Sequence, residues 1–168
     1  MLREFYHEDD GKYWPDHEEI KQMSIKVGEL IAESELSVVN LVAVTRGGLI
    51  PTGYISRLLH WSQTETMDMN SYRRNEDGTE SPSIIRITKR PILNNPDGTG
   101  TLFIDDVSDK GGTVRRLKTD YPNSKVAVIY SKLSADDPNF LADYVGEYTE
   151  RPDAWINFPW EVKTKQSS

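Results

Sequence analysis

Hydrophobic residues recur along this chain at two spacings, one typical of helices and one typical of strands. Near the N-terminus, apolar side chains fall every three or four positions on one helical face, at Ile20, Met23, Val27, Leu30 and Ile31. Asp16 and Glu19 precede them with the spacing of a capping box, in which each side chain accepts from the other residue's backbone N–H. The pattern therefore predicts a helix over about residues 16–34.

Short runs of β-branched and apolar residues, bounded by polar turns, indicate buried strands along the rest of the chain. Val38–Thr45 is the first of these runs, and residues 101–105 and 125–130 are two more. The other predicted elements are a helix over 50–59, strands over 64–69 and 84–87, and a helix over 112–119. Strands that alternate with helices favour an α/β fold, with a mainly parallel sheet flanked by helices.

The loops after the predicted strands are expected to meet at one edge of the sheet. In a parallel sheet the carboxyl ends of the strands lie together, and ligands bind beyond them. The loops over 45–48, 105–113 and 131–133 each follow a predicted strand, so we expect them to share this edge. The sequence has no repeat and no long linker, which predicts a single domain over residues 1–168.

Residues 71–83 are polar and rich in turn-forming residues, which predicts a loop between two strands. Two interpretations of this loop stay open: a solvated loop, and a mobile lid that closes over pyrophosphate and excludes water. The second depends on the basic residues in and after it, which are Arg73, Arg74, Arg86, Lys89 and Arg90.

Composition excludes several classes of protein. The formal net charge of −7 disfavours a general nucleic-acid-binding role, because no excess of Lys and Arg is present to neutralise phosphates. The absence of cysteine excludes a disulfide framework, a thiolate zinc site and a cysteine nucleophile. No apolar run approaches the roughly 20 residues of a membrane span, and residues 1–10 lack the apolar core of a signal peptide. We therefore expect a soluble, cytoplasmic protein with no stable membrane insertion.

The stretch over 102–113 carries the most specific chemistry in the sequence. A predicted strand ends in Asp105 and Asp106, Asp109 follows, and Gly111-Gly112-Thr113 begins a predicted helix. Carboxylates suited to Mg²⁺ and to sugar hydroxyls would then lie beside backbone N–H groups suited to phosphate. The pattern favours a phosphorylated sugar as the ligand. The alternative is an ordinary polar loop before a helix.

Three further features are candidates for the same site. Arg46-Gly47-Gly48 follows the first predicted strand, and a guanidinium there suits phosphate oxygens. Lys132 follows strand 125–130 and can donate to a ring carbonyl or an anion. Trp155 and Ile156 lie in an aromatic segment that suits either core packing or a flat ligand. A solvated arginine, a surface lysine and ordinary core packing are the alternatives, which the residues alone leave open.

Two of these stretches resemble motifs of the type I phosphoribosyltransferases. Ile104–Thr113 is similar to the phosphoribosyl-pyrophosphate motif of that family, and Val44–Pro51 is similar to its pyrophosphate loop. The order and spacing of Lys132 and Trp155–Trp160 resemble those of the bacterial xanthine–guanine group, which acts on 6-oxopurines. The resemblance extends from Leu41 to Trp160, and residues 71–83 match poorly within it.

The resemblance implies transfer of a phosphoribosyl group from phosphoribosyl pyrophosphate to N9 of guanine, xanthine or hypoxanthine, with Mg²⁺ as the cofactor. Asp105 and Asp106 would contact the ribose hydroxyls directly or through Mg²⁺, with Asp106 as the metal ligand. Asp109 would lie near N7 of the purine. The 5′-phosphate would be held by the backbone of Asp109, Lys110, Gly111, Gly112 and Thr113 and by the Thr113 hydroxyl.

The resemblance also assigns roles to the other candidates. Arg46, Gly47 and Gly48 would meet pyrophosphate, with a non-proline cis peptide in their loop. Lys132 would donate to the 6-oxo group, and Trp155 and Ile156 would flank the base. The expected fold includes a small hood from about residue 134 to 168, with the N-terminal arm as a candidate contributor, and the expected assembly is a homo-oligomer, a dimer or a tetramer.

This sequence departs from the family pattern at a few positions. Lys110 stands where the family usually has threonine, and Asn157 and Glu161 differ from the residues expected near the 2-position of the purine. Two alternative functions are a non-catalytic sensor of phosphoribosyl pyrophosphate that regulates transcription and a transferase for another base. The net charge and the retained Asp105, Asp106 and Asp109 oppose the sensor, while Lys132 and Trp155 oppose a pyrimidine substrate.

Overall fold

The computed structural model describes residues 11–74 and 80–161 of the chain. Within these residues the elements are, in chain order, β1 (Lys12–Tyr13), α1 (His17–Glu33), β2 (Asn40–Thr45), α2 (Leu49–Leu58), β3 (Thr64–Arg74), β4 (Glu80–Lys89), β5 (Thr101–Ser108), α3 (Gly112–Asp120), β6 (Lys125–Ser131), β7 (Tyr144–Tyr148) and β8 (Trp155–Ile156). None of the helices in these two ranges is long and apolar enough to cross a membrane.

Helix α1 begins as its sequence predicts. Asp16 is the N-cap residue, and its Oδ1 accepts a hydrogen bond from the Glu19 N–H at 2.8 Å. The Glu19 Oε2 accepts in turn from the Asp16 N–H at 2.9 Å, which completes the capping box. Ile20, Val27 and Ile31 form the buried stripe of the helix. The helix predicted over 16–34 is therefore confirmed.

The large sheet has six strands in the order β4-β3-β2-β5-β6-β7. Neighbouring strands are parallel except β3 and β4, which are antiparallel. Apolar side chains lie on both faces: Leu41 and Leu102 pack with the buried residues of α1 and α2, whereas Val42 packs with those of α3. The predicted α/β class is confirmed, because a sheet buried on both faces produces the continuous apolar runs seen in the sequence.

Strands β3 and β4 extend further than predicted. The sequence predicts a loop over 71–83, but residues 71–74 and 80–83 belong to strands and pair in an antiparallel register, with Tyr72 opposite Pro82 and Arg74 opposite Glu80. Polar composition did not reveal this pairing, since ladder hydrogen bonds are made by the backbone and do not require apolar side chains. Residues 75–79 lie outside the described residues, so the predicted lid stays a prediction there.

The C-terminal residues that were predicted to form the hood contribute strands to two different sheets. Strand β7 pairs in parallel with β6, which places Tyr144–Tyr148 in the large sheet instead of in a unit beginning near residue 134. Asp143 fixes the start of this strand, because its N–H donates to the Val126 carbonyl and its Oδ2 accepts from the Val126 N–H, both at 2.8 Å. Strand β8 pairs instead with β1, in a separate two-stranded parallel sheet.

Candidate active site

Three loops at the carboxyl edge of the sheet carry the candidate residues. Strands β2, β5 and β6 are parallel neighbours, and they end at Thr45, Ser108 and Ser131. The residues that follow each strand therefore share one edge of the sheet, as the sequence predicts. The Lys132 N–H donates to the Ser108 carbonyl at 2.9 Å, which ties the loop after β6 to the end of β5.

The Arg46-Gly47-Gly48 loop lies directly against the end of β5. A Cβ atom on Gly47 would fall 2.1 Å from Asp106 Oδ2, and one on Gly48 would fall 2.1 Å from the Ile104 carbonyl oxygen. A side chain at Gly47 would displace the Asp106 carboxylate, and one at Gly48 would displace the backbone. The peptide bond between Thr45 and Arg46 is cis, as the family resemblance implies, and the Arg46 side chain is exposed at the edge.

Asp105 and Asp106 are held by backbone donors in their own strand. The Asp106 N–H donates to Asp105 Oδ1 at 3.0 Å, and the Val107 N–H donates to Asp106 Oδ1 at 2.7 Å. Burial raises the pKa of Asp105 to about 6. Burial also raises the pKa of Asp106 well above its usual range, and the nearby charges of Asp105 and Glu161 raise it further. The pair therefore resists carrying two full negative charges unless a cation compensates them.

These two carboxylates fit a magnesium ion that the protein shares with a substrate. Mg²⁺ prefers oxygen ligands and usually takes one or two protein carboxylates together with substrate phosphates. Among residues 11–74 and 80–161 there is no group of three or more His, Cys, Asp or Glu side chains that could hold a metal by itself. A bound cation would stabilise the ionised form of both carboxylates and so lower the raised pKa values of Asp105 and Asp106.

A second group lies beside the carboxylate pair and consists of Asp109, Lys132 and Trp155. Lys132 Nζ lies 3.2 Å from Asp109 Oδ1 and 5.9 Å from the centre of the Trp155 ring. The Lys132 side chain is only 9% exposed, whereas Trp155 is 41% exposed. A nearly buried ammonium beside an open indole face provides a donor at the rim of a flat, apolar surface. The surface-lysine alternative is therefore excluded for Lys132.

Ile156 lies on the other side of β8 from Trp155. Its side chain is 5% exposed and packs in the core with Tyr130 and Phe158. Successive side chains of a strand point to opposite faces, so the two neighbours predicted to flank a base have different surroundings. The core-packing alternative describes the Ile156 side chain, and only Trp155 presents an open ring.

Gly111 and its neighbours form the start of α3. Gly111 is the N-cap residue with φ +70°, and a Cβ there would fall 2.5 Å from the Asn139 carbonyl oxygen, so glycine is required for both conformation and space. No side chain caps this helix end. The backbone N–H groups of its first turn, including those of Gly112 and Thr113, therefore suit an anion such as phosphate. Lys110 is exposed beside them.

The sequence placed Glu161 near the 2-position of the purine and did not connect it with the carboxylate pair, although its charge acts on Asp106. The Glu161 N–H donates to the Phe158 carbonyl at 2.9 Å, and its Oε2 accepts from the Phe158 N–H at 3.3 Å. This turn places the Glu161 charge where it raises the pKa of Asp106. No sequence signal joined these residues, because the contact arises only when the C-terminal segment folds back to the sheet edge.

Comparison with known proteins agrees with this arrangement. Residues 16–167 match the family model described as the phosphoribosyl transferase domain. The chain is 34% identical over 122 residues to the xanthine-guanine phosphoribosyltransferase of Cereibacter sphaeroides, an alignment that covers 73% of this chain and 68% of the relative. It is 32% identical over 122 residues to the enzyme of that name from Idiomarina loihiensis, covering 73% and 70% of the two chains.

A solved structure shows the same fold. The crystal structure of a purine phosphoribosyltransferase from Pyrococcus horikoshii superposes with a TM-score of 0.69 at 24% identity, and the match covers 94% of this chain and 99% of that one. The family model spans both the Asp105-Asp106 pair and the Lys132–Trp155 group, so the loops that build the site belong to the matched region. The chain is therefore a member of the phosphoribosyltransferase family.

Proposed function

We propose that this protein transfers the phosphoribosyl group of phosphoribosyl pyrophosphate to N9 of a 6-oxopurine, which is guanine, xanthine or hypoxanthine. The products are a purine nucleoside monophosphate and pyrophosphate, and the reaction serves purine salvage. Relatives that carry the name xanthine-guanine phosphoribosyltransferase and are 31–34% identical over about 73% of this chain support this assignment.

The observation that carries the proposal is the Asp109–Lys132–Trp155 group beside the start of α3. The open face of Trp155 suits a purine ring, and Lys132 at its rim donates to the 6-oxo group. Asp109, held 3.2 Å from that ammonium, lies on the loop between the carboxylate pair and Gly111 and is assigned to N7. One ligand with a purine-sized ring and a ribose 5′-phosphate would contact Trp155 and Lys132, Asp109, and the start of α3.

The remaining residues have roles that follow from the charges that develop during transfer. When the bond at the anomeric carbon breaks, the sugar becomes positive and the departing pyrophosphate becomes negative. The Arg46 guanidinium suits the pyrophosphate oxygens, and the Asp105 and Asp106 carboxylates suit the ribose hydroxyls and the positive sugar. Gly111, Gly112 and Thr113 would hold the 5′-phosphate with their N–H groups, which fixes the sugar during the displacement.

Mg²⁺ is the proposed cofactor, held by Asp106 with Asp105 beside it. When bound, it neutralises negative charge that develops on the pyrophosphate. Burial raises the pKa values of both carboxylates, and β5 contains no basic residue that would offset their negative charges. The raised pKa values therefore support this assignment.

A panel of free bases tests the proposal directly. The purified protein is incubated with phosphoribosyl pyrophosphate, Mg²⁺ and each of guanine, xanthine, hypoxanthine, adenine, uracil and orotate, and nucleotide and pyrophosphate are measured. We expect turnover with one or more 6-oxopurines and little with adenine or the pyrimidines. Turnover confined to a pyrimidine would support another transferase, and binding of phosphoribosyl pyrophosphate without turnover would support the sensor. A cytoplasmic location and a homo-oligomeric assembly stay predictions.

A further inference from the structure

Strand β1, the part of the N-terminal arm (residues 1–14) that is paired here, lies beside the strand that carries Trp155. In the β1–β8 pair, Lys12 lies opposite Trp155 and Tyr13 lies opposite Ile156. The Asn157 N–H then donates to the Tyr13 carbonyl at 2.8 Å. A two-stranded sheet of two residues a strand is not stable by itself, so its position depends on what anchors it to the rest of the molecule.

The Tyr13 side chain provides such an anchor. Its hydroxyl donates to Glu19 Oε1 at 3.1 Å, and the other oxygen of Glu19 closes the capping box of α1. The Tyr13 ring lies edge-on to Tyr130, with 5.8 Å between ring centres and an interplanar angle of 85°. Burial raises the pKa of Tyr13 above its usual range, and interactions with Tyr130 and Glu19 raise it further. The hydroxyl therefore stays protonated and can donate a hydrogen bond.

Tyr130 connects this anchor to the proposed purine site. It is 1% exposed in β6, two residues before Lys132, and it also packs against Phe158 at a ring distance of 6.2 Å. One cluster therefore fixes both the strand end that carries Lys132 and the segment that carries Trp155. The separation of 5.9 Å between the ammonium and the indole ring is set by how these two parts meet.

We propose that Tyr13 is a positioning residue for the purine site, which holds β8 so that Trp155 faces the base beside Lys132. The proposal rests on the proposed function and extends it to the N-terminal arm. Tyr13 acts through the backbone at Asn157 and through Glu19, and it need not touch the substrate. The sugar-phosphate groups belong to β5 and α3, which lie outside the contacts described for the arm. Purine binding should therefore depend on Tyr13 more than sugar binding does.

Tyr13→Phe removes only the hydroxyl and tests this dependence. Loss of the partly buried hydrogen bonds that this hydroxyl makes with Glu19 and Tyr130 should raise the KM for hypoxanthine or guanine about fivefold. The KM for phosphoribosyl pyrophosphate and kcat should stay within about twofold, because the groups assigned to them are untouched. The Asn157 amide should exchange its hydrogen faster than in the wild type, while the Val128 amide in the core of β6 should not.

Tyr144→Phe is the matched control. Tyr144 is also partly buried, and its hydroxyl donates to Ser34 Oγ at 3.0 Å, between β7 and the end of α1. It should leave both KM values within about twofold of wild type. Glu19→Gln is a second variant that should raise the purine KM in the same direction, and combining it with Tyr13→Phe should add less than the sum, because both act through one hydrogen bond.

The outcomes separate this proposal from the function on which it rests. An unchanged purine KM in Tyr13→Phe, an equal rise in the KM for phosphoribosyl pyrophosphate, or the same purine effect from Tyr144→Phe would overturn the positioning role while leaving the enzyme assignment intact. A wild-type protein that neither turns over nor binds any 6-oxopurine in a tryptophan fluorescence titration would overturn both.

Discussion

Asp105 and Asp106 lie near the carboxyl end of β5, where two negative charges are costly. Each carboxylate accepts from a neighbouring backbone N–H, yet burial still raises the pKa of both, that of Asp105 to about 6. Near neutral pH the free site therefore holds more protons than two ordinary aspartates would. A site of this kind gains negative charge when a cation arrives, which couples metal binding to the contact with the sugar.

Replacing Asp106 by Asn keeps the shape of the side chain and removes its charge. We expect Asp106→Asn to lower turnover by ~10²-fold or more, and Asp105→Asn to have a weaker effect, because one preorganised electrostatic contact is lost. Steady-state kinetics at saturating Mg²⁺ and phosphoribosyl pyrophosphate measure this, and circular dichroism checks that the fold is intact. Near-wild-type turnover in both variants would remove these carboxylates from the reaction.

Under the proposed function, Lys132 is the residue expected to select among purines. Its ammonium donates and cannot accept, so it favours a carbonyl at position 6 over the amino group of adenine. A site that pairs a buried polar group rejects a ligand that leaves the group unpaired by up to ~10⁴-fold. Lys132→Ala should therefore raise the KM for guanine or hypoxanthine and reduce their advantage over adenine, as measured by kcat/KM for each base.

Lys125→Ala is the matched control for this change. Lys125 also pairs with an aspartate, at 2.8 Å from Asp143 Oδ1, but at the opposite end of β6. It should leave the ratio between bases unaltered. If Lys132→Ala left that ratio unaltered as well, the 6-oxopurine assignment would be withdrawn and only the phosphoribosyl site retained.

Residue types alone predicted those candidate site residues that lie near the end of a predicted strand. Asp105, Asp106 and Lys132 all come within two residues of the end of a predicted strand, and these two strands, β5 and β6, are parallel neighbours in the sheet. The effect of the Glu161 charge on Asp106 and the hydrogen bond between Tyr13 and Glu19 were not predicted, because they depend on segments that are distant in sequence or irregular. The pattern of residue types along the chain does not show which distant segments lie close together in the fold.

The loop between β2 and α2 is packed so closely that only glycine fits at Gly48. A Cβ on Gly48 would lie 2.1 Å from the Ile104 carbonyl oxygen and 2.8 Å from that of Val44, both backbone atoms that cannot turn aside. Gly48→Ala should therefore displace the Arg46 loop and raise the KM for phosphoribosyl pyrophosphate by about tenfold or more, since misplacement by ~1 Å is costly in a positioned site. Isothermal titration with phosphoribosyl pyrophosphate and Mg²⁺ measures the binding loss.

Gly53→Ala is the control for Gly48→Ala in the same helix. Gly53 has open space around its Cβ position and lies within α2. Alanine there should raise the free energy of unfolding by about 0.5–1 kcal/mol, because it favours the helix more than glycine does, and binding should not change. Binding by Gly48→Ala within about twofold of wild type would show that the loop tolerates a side chain, and equal losses in the two variants would show that the loss does not come from crowding at Gly48.

Elements with a strong hydrophobic period were predicted well, and short or polar ones were not. Helix α1 and the β5–α3–β6 unit follow their patterns, since burial on the sheet faces imposes those patterns. Strands β1 and β8 have two residues each, too few for any period, and the outer part of β3–β4 pairs through polar sequence. Strand β7 was not predicted and lies in the range that the family resemblance assigned to the hood; only Val145 and Gly146 in it are buried, so its sequence has no continuous apolar run.

At the scale of the whole molecule, the buried carboxylate pair links stability to pH. In the unfolded chain Asp105 and Asp106 ionise near their ordinary pKa, whereas in the folded chain the pKa of each is raised. Between these values the folded state binds more protons than the unfolded state. The free energy of unfolding must therefore fall as pH rises from about 4 through the folded-state pKa values, and the loss is complete above them.

This linkage predicts how ligand and mutation change the melting temperature. Asp106→Asn removes one raised pKa, so its melting temperature should exceed that of the wild type at pH 8 by on the order of 2–4 °C. The difference should be much smaller at pH 4, where the carboxyl is protonated in the folded state and about half protonated in the unfolded state. Mg²⁺ with phosphoribosyl pyrophosphate requires the ionised pair, so the stabilisation that it gives the wild type should grow over the same pH range. Thermal unfolding between pH 4 and 8 measures both effects, and a melting-temperature difference that is independent of pH would show that the pKa of Asp106 is not raised in the folded protein.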